Sequence, residues 1–516
     1  MHLADWFLLP AERGNPATTL DSRHPDGASW TTGNRVRPLI HGAAYFAELY
    51  AAIRRTRSGD LLLFTDWRGD PDERLDGPGS EISRVLCEAA GRGVVVKGLI
   101  WRSHWDKLQF SEEENRHLGE EIEAAGGQCL LDMRVRAGGS HHQKFVVLRH
   151  PGRPELDVAY VGGIDLCHSR RDDRGHLGDP QVAPMAKVYG PRPPWHDIQV
   201  EIRGPAVADV ETVFRERWDD RQPLTRNPIH RVRDLMSRDD TTPRRLPDRL
   251  PDPPECGTHA VQLLRTYPHR HFGYAFAPRG ERSVAHGYRK VLRRARRLVY
   301  FEDQYLWSAQ VAATFAEALR REPQLRLIAI VPRFPDQDGR SRTPQLVGRA
   351  DALGVLRRAG GDRFAIYGLE NHENTPVYVH AKACVVDDTW ASVGSDNVSL
   401  RSWTFDSELS CAVLDQTGDY ARDLRLTLAR EHLDRADGDD DDLRDPQRAF
   451  EAFAASALAL DTWHANGKRG ARPPGRLRPY RLPTLSTPAR TWARPLYRQV
   501  YDPDGRPAAL RRRGEF

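Results

Sequence analysis

One short pattern occurs twice in this chain, and the repetition limits what the chain can fold into. His142-Gln-Lys144 runs into Phe145-Val-Val-Leu148 and then Gly162-Gly-Ile-Asp165. His380-Ala-Lys382 lies inside Val377-Tyr-Val-His-Ala-Lys-Ala-Cys-Val-Val-Asp387 and is followed by Gly394-Ser-Asp-Asn397. Both runs are apolar and β-branched, so both read as strands. Residues i and i+2 of a strand point the same way, so each copy projects an imidazole and an ammonium from one face. Burying that pair is costly unless something anionic binds there. Two such half-sites predict one whole site.

Chance accounts poorly for the pair. Independent placement of 20 His and 7 Lys in 516 residues gives about 0.3 His-x-Lys tripeptides. Of the 77 basic residues 70 are Arg, yet both positions hold Lys. A compact ammonium differs chemically from a planar guanidinium fork.

The surroundings repeat as well. Trp67 precedes His142 by 75 residues, and Tyr305 precedes His380 by 75. Helical periodicity over 38–53, 79–91 and 111–125 alternates with strand-like runs at 60–67, 93–101 and 129–132. The second half repeats this order with helices at 283–295, 309–321 and 344–358 and strands at 297–305, 325–331 and 363–368. Such alternation argues for α/β sandwiches, and the shared spacing for an internal duplication of about 240 residues. The expected architecture is α/β: two pseudo-symmetric α/β/α sandwich halves, 1–218 and 258–435, sharing one active site. A Pro-, Arg- and Asp-rich linker or long surface loop, 219–257, joins them. An acidic loop, a helix and a basic Pro/Arg-rich tail follow over 436–516. Residues 1–40 read as irregular.

Composition narrows the class. With 39% hydrophobic and 29% charged residues the chain is globular. No apolar run approaches the ~20 residues of a membrane-spanning helix. Trp6-Phe-Leu-Leu9 lacks the basic and long apolar regions of a signal peptide. A cytoplasmic protein is expected, with membrane contact at most peripheral. The six cysteines (Cys87, Cys129, Cys167, Cys256, Cys384, Cys411) lack CxxC spacing and suggest neither a disulfide nor a zinc framework. No metal and no other cofactor is expected. The net charge of +5 is uneven: Lys468 to Phe516 holds 13 Lys/Arg against 3 Asp/Glu, which leaves −5 on the rest. The tail can pack as an arm on the acidic body or bind an anionic membrane or nucleic acid. The acidic body disfavours a nucleic-acid groove. Asp439-Asp-Asp-Asp442 reads as a solvated loop.

His-x-Lys followed by Asp after four residues, in two copies, resembles the phospholipase D superfamily. His380, Lys382 and Asp387 complete the second copy. The first departs, with Arg149 at the Asp position. Phe64-Thr-Asp-Trp67, Val161-Gly-Gly-Ile-Asp-Leu-Cys167, Pro194-Trp-His-Asp197, Phe301-Glu-Asp-Gln-Tyr305 and Asp406-Ser-Glu408 are similar to segments of lipid-cleaving members.

The resemblance implies metal-free cleavage of a phosphodiester. One His attacks phosphorus to form a phosphohistidine, and the other protonates the departing alcohol, then deprotonates water or an acceptor alcohol. The residues do not order the two, and the likeness favours His142 as nucleophile. Lys144 and Lys382 would hold the non-bridging oxygens. Asn397, Ser395 and Asp165 would line the pocket, Asp387 being peripheral to the chemistry. Asp197 and Glu408 would orient the imidazoles through their second nitrogens. His141, out of register, is expected to be structural. Trp101, Trp105, Trp195, Tyr305 and Trp307 could line a lipid entrance or pack in the core. The expected activity is hydrolysis and alcohol exchange of glycerophospholipid headgroups at a membrane surface. A cardiolipin synthase-like phosphatidyltransferase or a nuclease of the same fold is the alternative, and a binding protein that has lost activity is a third reading resting on Arg149. Two motifs in one chain make a monomer sufficient.

Overall fold

The computed structural model describes residues 2–24, 26–103, 112–237, 239–415 and 417–516. The first eight strands, in chain order, are β1 (Thr31–Ile40), β2 (Leu61–Asp66), β3 (Val95–Trp101), β4 (Gln128–Asp132), β5 (Phe145–Arg149), β6 (Val158–Gly162), β7 (Trp195–His196) and β8 (Ile198–Arg203). The next ten are β9 (His259–Tyr267), β10 (Glu281–Arg282), β11 (Leu298–Glu302), β12 (Arg326–Ile330), β13 (Phe364–Glu370), β14 (Pro376–Val379), β15 (Ala383–Val386), β16 (Trp390–Gly394), β17 (Glu408–Asp415) and β18 (Leu477–Pro479).

Pairing resolves these into two sheets of one design. The first runs β4-β3-β2-β5-β6-β8-β1, parallel across β4-β3-β2 and antiparallel beyond. The second runs β13-β12-β11-β15-β16-β17-β9 with the same senses. The sheets meet through β1. Its residues 35–40 pair with β8, while Thr31 and Asn34 pair with β9.

The sequence makes both faces of each sheet apolar, as strands covered on two sides require. In β2, Leu63 points inward and joins Leu99, Val147, Val161 and Val200 in a core shared with Val261, Val385, Val393 and Val413 of the second sheet. Leu62 and Phe64 point outward with Val96 and Ile100, into the helices Gly42–Arg54, Ile82–Gly91 and Glu112–Ala124. Val299, Phe301, Leu327 and Ala329 do the same beneath Ser283–Leu292, Ala309–Arg321 and Arg342–Gly360. Each fully buried aliphatic side chain of this kind contributes about 1.5–3 kcal/mol.

Four features differ from the sequence reading. Residues 31–40 are not irregular but form β1; Gly33 and Pro38 interrupt the alternation that would have marked a strand. His380 and Lys382 are not inside one continuous strand. They lie in the gap between β14 and β15, because the N–H groups of His380 and Ala381 both donate to the His196 carbonyl (2.8 and 3.1 Å) instead of continuing the ladder. The first copy is alike: His142–Lys144 precedes β5, and the His142 N–H donates to the Ser407 carbonyl at 2.9 Å. The stretch 219–257 is no free linker. It contains the helix Pro228–Ser237 and buries Leu224 and Leu246 against the first sheet's core.

The basic tail packs on the body. β18 pairs with β13, Arg478 binds Glu370 at 2.6 Å, and Arg494 binds Asp351 at 3.2 Å. The acidic run is likewise held, with Asp440 on Arg430 at 2.6 Å.

Candidate active site

The two gaps that carry His-x-Lys face one another across the junction of the halves. Their crossing backbone bonds bring each histidine to an acid of the opposite half. His142 Nδ1 lies 2.8 Å from Glu408 Oε2, at the first residue of β17. His380 Nδ1 lies 2.6 Å from Asp197 Oδ2, just before β8. Both acids are buried, and Asp197 Oδ1 also accepts the Ile198 N–H at 2.9 Å. Gly163 admits that carboxylate: a Cβ there would sit 2.4 Å from Asp197 Oδ1.

The lysines follow one rule. Lys144 Nζ donates to the His142 carbonyl at 2.8 Å, and Lys382 Nζ donates to the His380 carbonyl. Lys382 also reaches Gln304 Oε1 at 3.2 Å, and Lys144 lies 3.5 Å from Asp165 Oδ1. Burial, with Lys144 nearby, lowers the Lys382 ammonium to about 7 against the pull of Asp197 and Asp303. Burial, then Lys382 and Arg170, holds His380 well below the usual imidazole value, so it is uncharged in the unliganded protein. Lys144 and Asp165 of the first half act on His380 as well, which places both motif lysines and His380 in one electrostatic site.

The remaining expected residues divide by task. Asn397 is buried and its Oδ1 has no protein partner. Ser395 does not present its hydroxyl to the cleft. It donates to Glu408 Oε2 at 2.5 Å and accepts the Leu409 N–H at 3.1 Å, holding the acid that holds His142. Asp165, at the position of Asn397, is a counter-ion. Despite burial, Lys144 and Arg170 keep it below the carboxylate range, and as an acceptor it cannot donate to a phosphoryl oxygen. Burial and the Asp165 charge push Asp66 well up, so Asp66 carries the proton of their hydrogen bond. Asp387 sits at the far end of β15, roughly 17 Å of strand from Lys382. It accepts the N–H groups of Arg296, Arg297 and Leu298 at 2.7, 2.9 and 2.9 Å.

Arg149 takes the Asp position without disturbing the cleft. It is fully buried at the end of β5, on Asp157 at 2.8 Å and on Glu211. His141 is buried with Nε2 3.3 Å from Gln143 Oε1.

Sequence reasoning did not single out Gln304, Arg170 or Asp303. Asp303 and Gln304 lay within Phe301-Glu-Asp-Gln-Tyr305 without a role of their own. Asp303 accepts the N–H groups of Tyr305, Leu306 and Val398 at 2.8, 2.6 and 2.7 Å, pinning the turn that carries Asn397, and burial raises it to about 6. The Arg170 guanidinium carbon lies 3.9 Å from the Trp195 ring centre, and that ring lies 4.9 Å from His380. Across the cleft, Trp67 meets His142 edge-on at 6.4 Å and stacks on Trp101 at 5.5 Å. Trp101 and Trp307 are buried packing residues, Trp307 stacking on Tyr305 at 3.7 Å. Trp105 falls outside the described residues.

Behind His380 lies a buried imidazole–carboxylate network. His41, His176, His196 and Glu431 bring one ligand atom each to within 4.8 Å of one another, a set able to receive a metal ion; His196, Glu302 and His432 form a second. Protons alone also hold this network together. His176 faces an acceptor at both nitrogens, Trp195 O at 3.1 Å and Glu431 Oε1 at 3.1 Å, with Asp172 3.8 Å away, which calls for the imidazolium. Despite burial, Glu302 and Glu431 lift His196 to about 10. The imidazoliums of His176 and His196 thus lie among the carboxylates of Glu302, Glu431 and Asp172, and Glu302 also accepts from His432 at 2.8 Å.

The sequence matches the family model described as Phospholipase D over residues 73–318. It is 24% identical to "Phospholipase D alpha 1" of Cynara cardunculus over 76% of this chain and 63% of that one. It is 26% identical to "Phospholipase D beta 2" of Arabidopsis thaliana, with 76% and 56% covered. The chain therefore spans less than two thirds of the length of these plant relatives. Among solved structures it is similar to phosphatidylserine synthase of Haemophilus influenzae, with a TM-score of 0.51 and 14% identity over 84% of this chain and 93% of that one, a likeness of fold.

Proposed function

We propose that this chain, which matches the phospholipase D family model over residues 73–318, is a phospholipase D-type phosphodiesterase and transphosphatidylase acting on glycerophospholipids. The observation that carries the proposal is the reciprocal pairing of His142 with Glu408 and of His380 with Asp197. With Nδ1 committed to a carboxylate, each imidazole keeps Nε2 for chemistry.

A phosphodiester would seat its two non-bridging oxygens on Lys144 and Lys382, displacing the lysines' weaker carbonyl contacts. Its negative charge offsets the field of Lys382, Arg170 and Lys144 that, together with burial, keeps His380 uncharged. His380 then takes up a proton and becomes the acid. His142 Nε2 attacks phosphorus, the bond to the headgroup oxygen breaks, and His380 gives that oxygen its proton. His380, now neutral, removes a proton from water or an alcohol, which attacks phosphorus and releases His142. Asp197 and Glu408 stabilise the imidazoliums formed on the way. Asp165 positions Lys144, Ser395 positions Glu408, and Asn397 lines the cleft.

The test uses phosphatidylcholine vesicles with added ethanol. Phosphatidylethanol from the wild type and none from His380→Ala is the expected result. Absence of product from a folded wild type overturns this reading and moves the same site to cardiolipin-type transfer or nucleic-acid cleavage. A monomer is proposed, because both half-sites come from one chain.

A further inference from the structure

The helix Pro228–Ser237 is amphipathic the wrong way round for a soluble surface. Its inward positions are polar: His230 and Asp234 are buried. Its outward positions are apolar: Ile229 is 62% exposed, Val232 57%, Leu235 80% and Met236 79%. At 100° per residue these four form one stripe about 120° wide, opposite the buried pair. An apolar stripe facing outward costs solvation in water and marks a surface that meets something apolar.

The helix is held in this orientation by its polar side. Arg102 Nη2 donates to Asp234 Oδ1 at 2.6 Å, Arg233 Nη1 donates to Glu112 Oε1 at 2.5 Å, and Thr225 Oγ1 meets His230 Nδ1 at 3.1 Å. The stripe is therefore presented and not merely left over. Arg231 and Arg233 flank it on its two sides, and Arg226 lies 3.8 Å over the ring of Phe272, itself 50% exposed. Apolar tips with an aromatic and a fringe of arginines match the acyl boundary and phosphates of an anionic bilayer.

Its place in the fold suits that partner. Arg102 follows Trp101, which stacks on Trp67, which borders His142. We propose that this helix docks the protein on an anionic lipid surface beside the mouth of the catalytic cleft. The proposal rests on the phospholipid reading above for its purpose, but its test does not need turnover.

Co-sedimentation with vesicles of phosphatidylcholine and phosphatidylglycerol reads docking directly, and hydrolysis of a short-chain phosphatidylcholine below its micelle concentration reads the cleft. The double variant Leu235→Asp, Met236→Asp is expected to lose vesicle affinity by at least about tenfold, as two membrane-facing side chains are withdrawn. Its activity on the monomeric lipid should equal the wild type's. Arg231→Gln should weaken binding to phosphatidylglycerol-containing vesicles and leave pure phosphatidylcholine vesicles unaffected. Unchanged vesicle affinity in the folded double variant overturns the proposal. So does a wild type that sediments as a dimer and becomes monomeric in the double variant, because a second copy then covers the stripe. If the wild type docks but hydrolyses neither lipid form, the docking surface stands and the enzymatic reading falls.

Discussion

His142 and Glu408 are separated by 266 residues and joined by a 2.8 Å hydrogen bond. His380 and Asp197 repeat the arrangement with the halves exchanged. Each half of the chain therefore supplies an imidazole and lends a carboxylate to its neighbour's. Removing the charge while keeping the shape isolates this contribution. Asp197→Asn and Glu408→Gln should each lower single-turnover cleavage by roughly 10²- to 10⁴-fold, through loss of imidazole orientation and imidazolium stabilisation. Thermal unfolding checks that the fold is retained, and rates within threefold of wild type would remove both acids from the mechanism.

Anion binding should draw protons from solution. Lys382 stands at about 7 and His380 lower in the unliganded protein, both held down by burial and neighbouring cations. A bound phosphate or tungstate raises both, so the complex carries more protons than the free protein near pH 7.5, and affinity falls as pH rises. Titration calorimetry in buffers of different ionisation enthalpy measures the uptake. Proton release, or none, would contradict the assignment of His380 as an acid charged by its substrate.

Restoring the missing motif residue should harm the protein. Arg149→Asp would place a third carboxylate beside Asp157 and Glu211 and remove the guanidinium they share, leaving Glu211 to Arg215 and Asp157 to His150. Unpairing buried ions typically costs about 3–5 kcal/mol. Chemical denaturation should show a loss of that order, with no gain in phosphodiesterase activity. A stable and more active variant would make the first motif's Asp functional after all.

The His196–Glu302 pair should set the pH range of stability. His196 is lifted from 6.5 to about 10, so its share is complete below 6.5 and is lost as pH rises through about 10. Despite burial, His196 and His432 hold Glu302 far below 4.5, so its share is complete above 4.5 and is lost as pH falls. Glu302→Gln should lower stability by about 3 kcal/mol at neutral pH and flatten both slopes. Melting temperatures from pH 4 to 10 test this. An unchanged profile would mean that the network's protons move with other groups.

The two His-x-Lys pairs, the α/β alternation and the duplication were legible because they follow from periodicity and repetition along the chain. The acids were legible only as strand beginnings carrying Asp197 and Glu408. Their exchange between halves was not, since no local pattern records which half a side chain crosses to. Ser395 and Asp165 were expected at the substrate. The first instead bonds Glu408 and the second balances Lys144, distinctions that depend on a few ångströms between distant segments. β1 was missed because Gly33 and Pro38 break its alternation, while its pairing with β8 and β9 supplies what propensity lacks.

β18 contributes three residues, yet it lies along β13 and occupies donors and acceptors of a strand that would otherwise be partly open. An open strand is a template for any passing chain. Through β18 the C-terminal tail covers that rim, and a chain truncated before Leu477 would leave it open to pairing.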